Sequence, residues 1–222
     1  MNNLTLQELR EMADDDRAES ASSFANDSRI DRYFNRCVMK IIRTPGVRTV
    51  KDSQTISFTG SGSYTLNADV KDVVELISGG AGTTNSVQFQ YLPPDEYDKV
   101  VTGFVWTIKQ KGKIEIFATD SNQLPTTSLT LLYWSKNIIL DTDGTTKKAK
   151  WENDGDTSRL PAEYDEMYIN FADTKIKLRE GKRKAAADSQ GMFNEALDSL
   201  IVFGGEPKPV RQSKSFGHYQ AR

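Results

Sequence analysis

The chain has 222 residues, with 29 Lys and Arg against 31 Asp and Glu, a formal charge of −2, and an apolar share of 37% counted with tyrosine. With glycine in place of tyrosine the share is about 40%, low beside the roughly 45–50% of an ordinary soluble domain. The balance gives no global field for nucleic acid or anionic lipid. No run approaches the roughly 18 apolar residues of a membrane span, and the opening MNNLTLQELREMADDD lacks the basic and apolar segments of a signal peptide.

Thr5 and Glu8 have capping-box spacing, and Leu6, Leu9 and Ala13 follow on one helical face. Residues 14–28 are acidic and small and read as a connection. Ser28 suits an N-cap with Asp31 three positions on. Ile30, Tyr33, Phe34, Cys37, Val38 and Ile41 then mark an amphipathic helix that Pro45-Gly46 closes. From residue 49 the period changes to two. Thr55–Phe58 and Ser63–Leu66 flank Thr59-Gly60-Ser61-Gly62 and predict a hairpin. Five more strands are predicted at Val73–Ile77, Val87–Leu92, Phe104–Ile108, Ile114–Phe117 and Leu129–Trp134, with a short helix opening at Pro93-Pro94 and a tight turn at Lys111-Gly112-Lys113.

Residues 141–160 are polar and turn-rich. Leu160-Pro161 starts a second helical section with stripes at Tyr164, Met167, Tyr168, Phe171 and at Met192, Phe193, Ala196, Leu197, Leu200, Ile201. Gly181, Ser189 and Gly191 allow a bend between them, and Phe203-Gly204-Gly205 ends the second. The expected fold is α+β. Residues 1–48 and 161–203 form a helical part, 49–140 an antiparallel β module, 141–160 a polar loop, and 204–222 an extended tail.

Chemistry-bearing residues are sparse. Cys37, the single cysteine, lies on an apolar stripe and reads as a buried, inert thiol. It leaves no disulfide framework and no cysteine zinc site. A histidine nucleophile partner, base or metal site would depend on His218 alone. Asp141, Asp143, Gly144 and Glu152 approach a calcium loop, but Thr146 stands where glycine is required, so a β-turn is expected. Gly79-Gly80-Ala81-Gly82 lacks the Lys-Ser/Thr of a phosphate loop and reads as a hairpin connection. Glu163, Asp165 and Glu166 suit the first turn of a helix. Trp106 and Trp134 fit strand-core positions, with Trp151 the more exposed. Lys175, Lys177, Arg179, Lys182, Arg183 and Lys184, opposed by Glu180, form a basic cluster suited to a solvated helix face, an acidic partner or a phosphate backbone. No enzyme activity, cofactor or metal is expected, and the chain reads as a soluble intracellular product.

LTLQELR, RYFNRCVMKIIR, SYTLNADVKDVVELIS, LTLLYW and LPAEYDEMYINFADTKIKLREGKRKAAADSQGMFNEALDSLI occur in this order. In this the chain resembles the head-to-tail adaptor (connector, head-completion) proteins of tailed bacteriophages. It departs from their usual pattern at Asn67, where the family commonly has proline. The resemblance implies a structural virion protein of the neck, made in the host cytoplasm. It implies a homo-oligomeric ring, typically dodecameric, under the portal protein and above a tail or tail-nozzle protein. Double-stranded DNA would pass through the lumen without sequence readout. The C-terminal segment would reach the portal, and Lys208, Pro209, Arg211, Lys214, Phe216 and Tyr219 are the residues expected there. A thin core fits a subunit completed by neighbours. The alternative is a carbohydrate- or receptor-binding β module using Trp134, Trp151 and the 141–160 loop. A carboxylate-based hydrolase is the remaining enzymatic reading.

Overall fold

The computed structural model describes residues 3–15, 27–79, 86–119, 124 and 126–202. Two helices come first, α1 (Leu6–Asp15) and α2 (Asp27–Arg43). Seven strands follow: β1 (Val50–Ser57), β2 (Gly62–Thr65), β3 (Val70–Ser78), β4 (Val87–Tyr91), β5 (Phe104–Gln110), β6 (Lys113–Ala118) and β7 (Ser128–Ser135), with the one-turn α3 (Pro94–Tyr97) between β4 and β5. Short strands β8 (Ile139–Leu140), β9 (Lys147–Lys148) and β10 (Thr157–Ser158) precede α4 (Asp165–Arg179) and α5 (Arg183–Val202). The fold is α+β, as expected.

The capping box forms. The Thr5 N–H donates to Glu8 Oε2 at 2.7 Å and the Glu8 N–H to Thr5 Oγ1 at 3.2 Å, satisfying two donors the helix leaves open. Leu6, Leu9 and Ala13 are buried, as is the whole predicted stripe of α2. α2 begins at Asp27, so Ser28 sits inside its first turn rather than at its cap. The helix stops before Pro45, whose ring disfavours helical backbone at the preceding residue, and Gly46 turns the chain at φ 80°. α4 buries Met167, Tyr168, Ile169, Phe171, Ala172 and Ile176, more than one stripe can hold. It is the central helix, packed against α1, α2 and α5. Gly181, at φ 78°, makes the bend to α5. Ser189 and Gly191 lie inside α5 rather than in the bend.

All seven predicted strands form one sheet in the order β1-β7-β3-β4-β5-β6-β2. Two pairings differ from expectation. β4 and β5 run parallel, with α3 in the crossover, so the module is mixed rather than wholly antiparallel. The 55–66 hairpin does not form: β1 pairs with β7 and β2 with β6. After Ile56 the Phe58 N–H goes to the Thr127 carbonyl at 2.8 Å instead of across the turn.

β1 and β2 therefore end the strand order on opposite sides, and a side chain joins them. The Leu66 N–H donates to the Gly112 carbonyl at 2.9 Å, which turns the backbone groups of Thr65 and Asn67 away from β6. Gln54 of β1 meets both. Its Nε2 donates to the Thr65 carbonyl at 3.0 Å, and its Oε1 accepts the Asn67 N–H at 2.9 Å.

There are two apolar cores. One gathers α1, α2, α4 and α5 with Ile138, Ile139, Trp151 and Leu160. The other lies within the sheet, around Phe58, Leu76, Phe89, Trp106, Ile114, Ile116, Leu129 and Leu131. Each fully buried aliphatic or aromatic side chain contributes about 1.5–3 kcal/mol. Ile138 and Ile139, assigned by sequence to the β module, belong to the helical core. The junction between the cores is polar. Lys71 Nζ donates to the Val47 carbonyl at 2.5 Å, the Arg48 N–H to the Leu200 carbonyl at 3.1 Å, and Thr49 Oγ1 to the Ser135 carbonyl at 2.6 Å.

Candidate functional site

The bend between α4 and α5 collects the six predicted cations, and they divide into two kinds. Lys175 Nζ lies 4.9 Å over the Phe171 ring. Lys177 pairs with Asp173 at 2.5 Å and donates to Ser189 Oγ at 3.2 Å, tying α4 to α5. These two serve packing. Arg179 reaches back over the Tyr33 ring at 5.7 Å but remains exposed. Lys182 is exposed and pairs with Glu180 at 3.0 Å. The Arg183 and Lys184 side chains are exposed and have no partner among the described residues.

Lys182, Arg183 and Lys184 surround the N-terminus of a 20-residue helix with no acidic residue in its first turn. That end carries the positive pole of the helix, where a cation costs about 0.3–1 kcal/mol. Lys182 has its pair with Glu180, whereas Arg183 and Lys184 add no ion pair among the described residues. Arg179 and this triplet form an outward-facing basic corner suited to an anionic surface.

The calcium-like segment folds as the turn the sequence predicts. The Asp141 N–H donates to the Thr146 carbonyl at 2.8 Å, Gly144 takes φ 67°, and Asp143 accepts the N–H groups of Thr145 and Thr146. The Lys148 ammonium sits among three carboxylates. It lies 2.9 Å from Asp156, 3.3 Å from Asp141 and 3.7 Å from Glu152. Asp156 is fully buried, and its Oδ2 also accepts the N–H groups of Glu152 and Asn153. Among the described residues no group of three or more His, Cys, Asp or Glu is arranged to hold a metal ion.

The 141–160 segment is thus not an outlying loop. Trp151, expected to be the exposed tryptophan, is 2% exposed and meets Tyr168 edge-on at 5.3 Å. Asn35 of α2 fixes its backbone, donating to the Trp151 carbonyl at 3.1 Å and accepting its N–H at 2.8 Å. A glycan-binding face built on Trp151 has no exposed ring there. Trp106 is buried in the sheet, and Trp134 is half-buried with Lys51 Nζ 5.4 Å from its ring centre. Cys37 is fully buried, its thiol 3.9 Å from the Met167 carbonyl, and burial raises its pKa well above the usual thiol range. A thiol held neutral is a poor nucleophile.

Sequence reasoning missed the contacts that join distant segments. Asp52 is one. Its carboxylate takes Arg159 Nη1 at 2.9 Å, Arg159 Nη2 at 3.0 Å and Lys147 Nζ at 2.6 Å. Burial alone would raise its pKa, but the hydrogen bonds and charges of Arg159 and Lys147 lower it to about 2. Asp165 is the other, a buried carboxyl tied to the Leu4 backbone.

The predicted tail residues Lys208, Pro209, Arg211, Lys214, Phe216 and Tyr219 lie outside the described residues, as do His218, the 203–205 helix stop, residues 16–26 of the acidic connection and residues 80–85 of the glycine-rich one. Among the described residues no helix is long and apolar enough to cross a membrane. No protein-family model matches the chain, and comparison with curated proteins gives no match.

Proposed function

We propose that this protein is a structural subunit of a tailed-phage neck, a head-to-tail adaptor that assembles as a ring beneath the portal and passes double-stranded DNA. The observation that carries the reading is the outer surface of the α4–α5 hairpin. Leu178 is 50% exposed, Met192 58% and Val202 71%; Met12, Met39, Tyr91 and Val101 are also exposed elsewhere on the chain. Met192 and Ile201 stand at the two edges of the predicted α5 stripe, and both remain partly exposed. Apolar side chains presented along packed helices suit a neighbouring copy of the same subunit. The resemblance of the LPAEY…ALDSLI segment to adaptor proteins supports the same assignment.

On this reading the tail beyond Val202 carries the portal contacts, through Lys208, Pro209, Arg211, Lys214, Phe216 and Tyr219. The basic corner at Arg179, Lys182, Arg183 and Lys184 faces DNA or an acidic partner. The test is deletion of residues 204–222. The truncated chain keeps its fold, read by circular dichroism and melting, and loses attachment to portal particles in co-sedimentation. Normal attachment of the truncated chain would remove the tail from the account.

A further inference from the structure

Asp165, the first residue of α4, is 2% exposed. Its Oδ2 accepts the Leu4 N–H at 2.8 Å, and its Oδ1 has no hydrogen-bond partner among the described residues. The charge that faces it from α1 is Glu8, of the same sign. Tyr168, one turn along α4, is fully buried and shares a hydroxyl–hydroxyl hydrogen bond with Ser158 at 3.2 Å, and Cys37 of α2 lies beyond it; both are held neutral by burial. Glu163 and Glu166, its chain neighbours, are exposed. An ionised Asp165 is therefore a buried charge with one backbone partner, helped only by the positive end of α4.

The segment it holds is the N-terminal strap. The Asn3 side-chain amide donates to the Leu160 carbonyl, Thr5 bridges Thr157, the Leu6 N–H donates to the Asp156 carbonyl at 2.9 Å and the Gln7 N–H to the Asp154 carbonyl at 3.0 Å. Those acceptors are backbone groups that do not titrate. Asp165 is the titratable acceptor among the bonds that fasten residues 3–7 to the rest of the chain; further along α1, Arg10 pairs with Asp31 and with Asp154, each at 2.7 Å.

We propose that Asp165 is an acid-responsive latch, so that the strap formed by residues 3–7 and α1 is held more tightly against α4 in mildly acid solution than at neutral pH. Neutralising the carboxyl removes both the buried unpaired charge and its repulsion from Glu8, while the remaining backbone bonds persist. Burial, with Glu8 adding to it and the Leu4 N–H opposing, pushes the Asp165 carboxyl up to about 6. An undocked Asp165 titrates near 4, as an ordinary aspartate does. Between those values the docked form keeps a proton the undocked form gives up. Docking therefore weakens as pH rises through the window, by about tenfold from pH 5 to pH 7.5.

The test is amide hydrogen exchange of α1 in the intact chain, corrected for the intrinsic pH dependence of exchange. Protection of the Leu6–Ala13 amides is expected to be about tenfold greater at pH 5 than at pH 7.5. In D165N most of that difference should vanish, while the Arg10 pairs with Asp31 and Asp154 remain. A flat wild-type response, or a D165N chain that keeps the tenfold difference, would overturn the latch. If D165N does not fold, the carboxyl 13C resonance of Asp165 in the wild type decides. A midpoint well above the ordinary aspartate range supports the proposal, and one inside that range overturns it.

Discussion

Arg159 grips Asp52 with both terminal guanidinium nitrogens, at 2.9 and 3.0 Å, across the boundary between the helical core and the sheet. The Asp52 carboxylate is 7% exposed and Arg159 12%. A buried pair of this kind contributes little net stability, but breaking one side strands the other charge. Arg159→Met is expected to cost about 2–3 kcal/mol, softened from the full buried value because Lys147 remains beside Asp52. Asp52→Asn together with Arg159→Met should recover part of that loss. A double-mutant cycle by urea denaturation reads the coupling.

The same carboxylate makes stability depend on acid. Its folded-state pKa lies near 2, below the ordinary value near 4. Its contribution is therefore present above pH 4 and is lost as pH falls toward 2. With solvent screening allowed for, about 1–2 kcal/mol disappears over that window. The acid limb of the stability profile should be shallower in Asp52→Asn. Identical acid limbs for the two chains would remove Asp52 from the account.

Lys148 pairs with Asp141, Glu152 and Asp156, and its removal is expected to be costly. Lys148→Met leaves the fully buried Asp156 without its counter-ion, for a loss of about 3 kcal/mol. Lys148→Met with Asp156→Asn should be less destabilised than Lys148→Met alone, since the amide keeps an oxygen for the Glu152 and Asn153 N–H groups. The comparison is made by thermal melting of the three chains. Equal melting of Lys148→Met and wild type would mean that the ammonium is dispensable.

Gln54 completes the sheet with a side chain. Gln54→Ala removes both bonds to the β2 edge, for about 1–2 kcal/mol. The local sign is sharper than the global one. The Asn67 amide, which donates to Gln54 Oε1, should lose exchange protection selectively, while the Leu66 amide, bonded to Gly112, keeps most of its own. Equal loss at both positions would point to general loosening of β2.

What the sequence made legible was local. The α1 cap needs residues three apart, and the α2 stripe repeats every three or four positions, so both could be read without knowing the fold. All seven strands were visible as alternation. Pairing was not. Gly60 and its polar neighbours look like a hairpin turn, yet the partner of Ile56 is Leu129, far along the chain. Trp151 was misjudged for a related reason. It sits among polar residues, and what buries it is the Asn35 amide and the Tyr168 ring, neither near in sequence. Arg159–Asp52 and Asp165–Leu4 carry no periodic signal at all. They are visible only once the helices and the sheet are placed.

The basic corner gives a prediction in which stability and binding separate. Replacing Arg183 and Lys184 by alanine, with Lys182 kept for its pair with Glu180, should leave melting unchanged or raise it slightly, because cations at a helix N-terminus cost about 0.3–1 kcal/mol each. Retention on immobilised double-stranded DNA should fall, and the dependence of binding on salt should become less steep. Unchanged retention at low salt would make Arg183 and Lys184 a solvated helix end.

The central claim is that this chain is a ring-forming adaptor on a portal. Electron microscopy of the full-length protein mixed with portal particles tests it most directly. The account predicts a second ring of density coaxial with the portal, carrying the rotational symmetry of an oligomer of this chain. Portals that stay bare at saturating protein, with the chain still monomeric in solution, would contradict it.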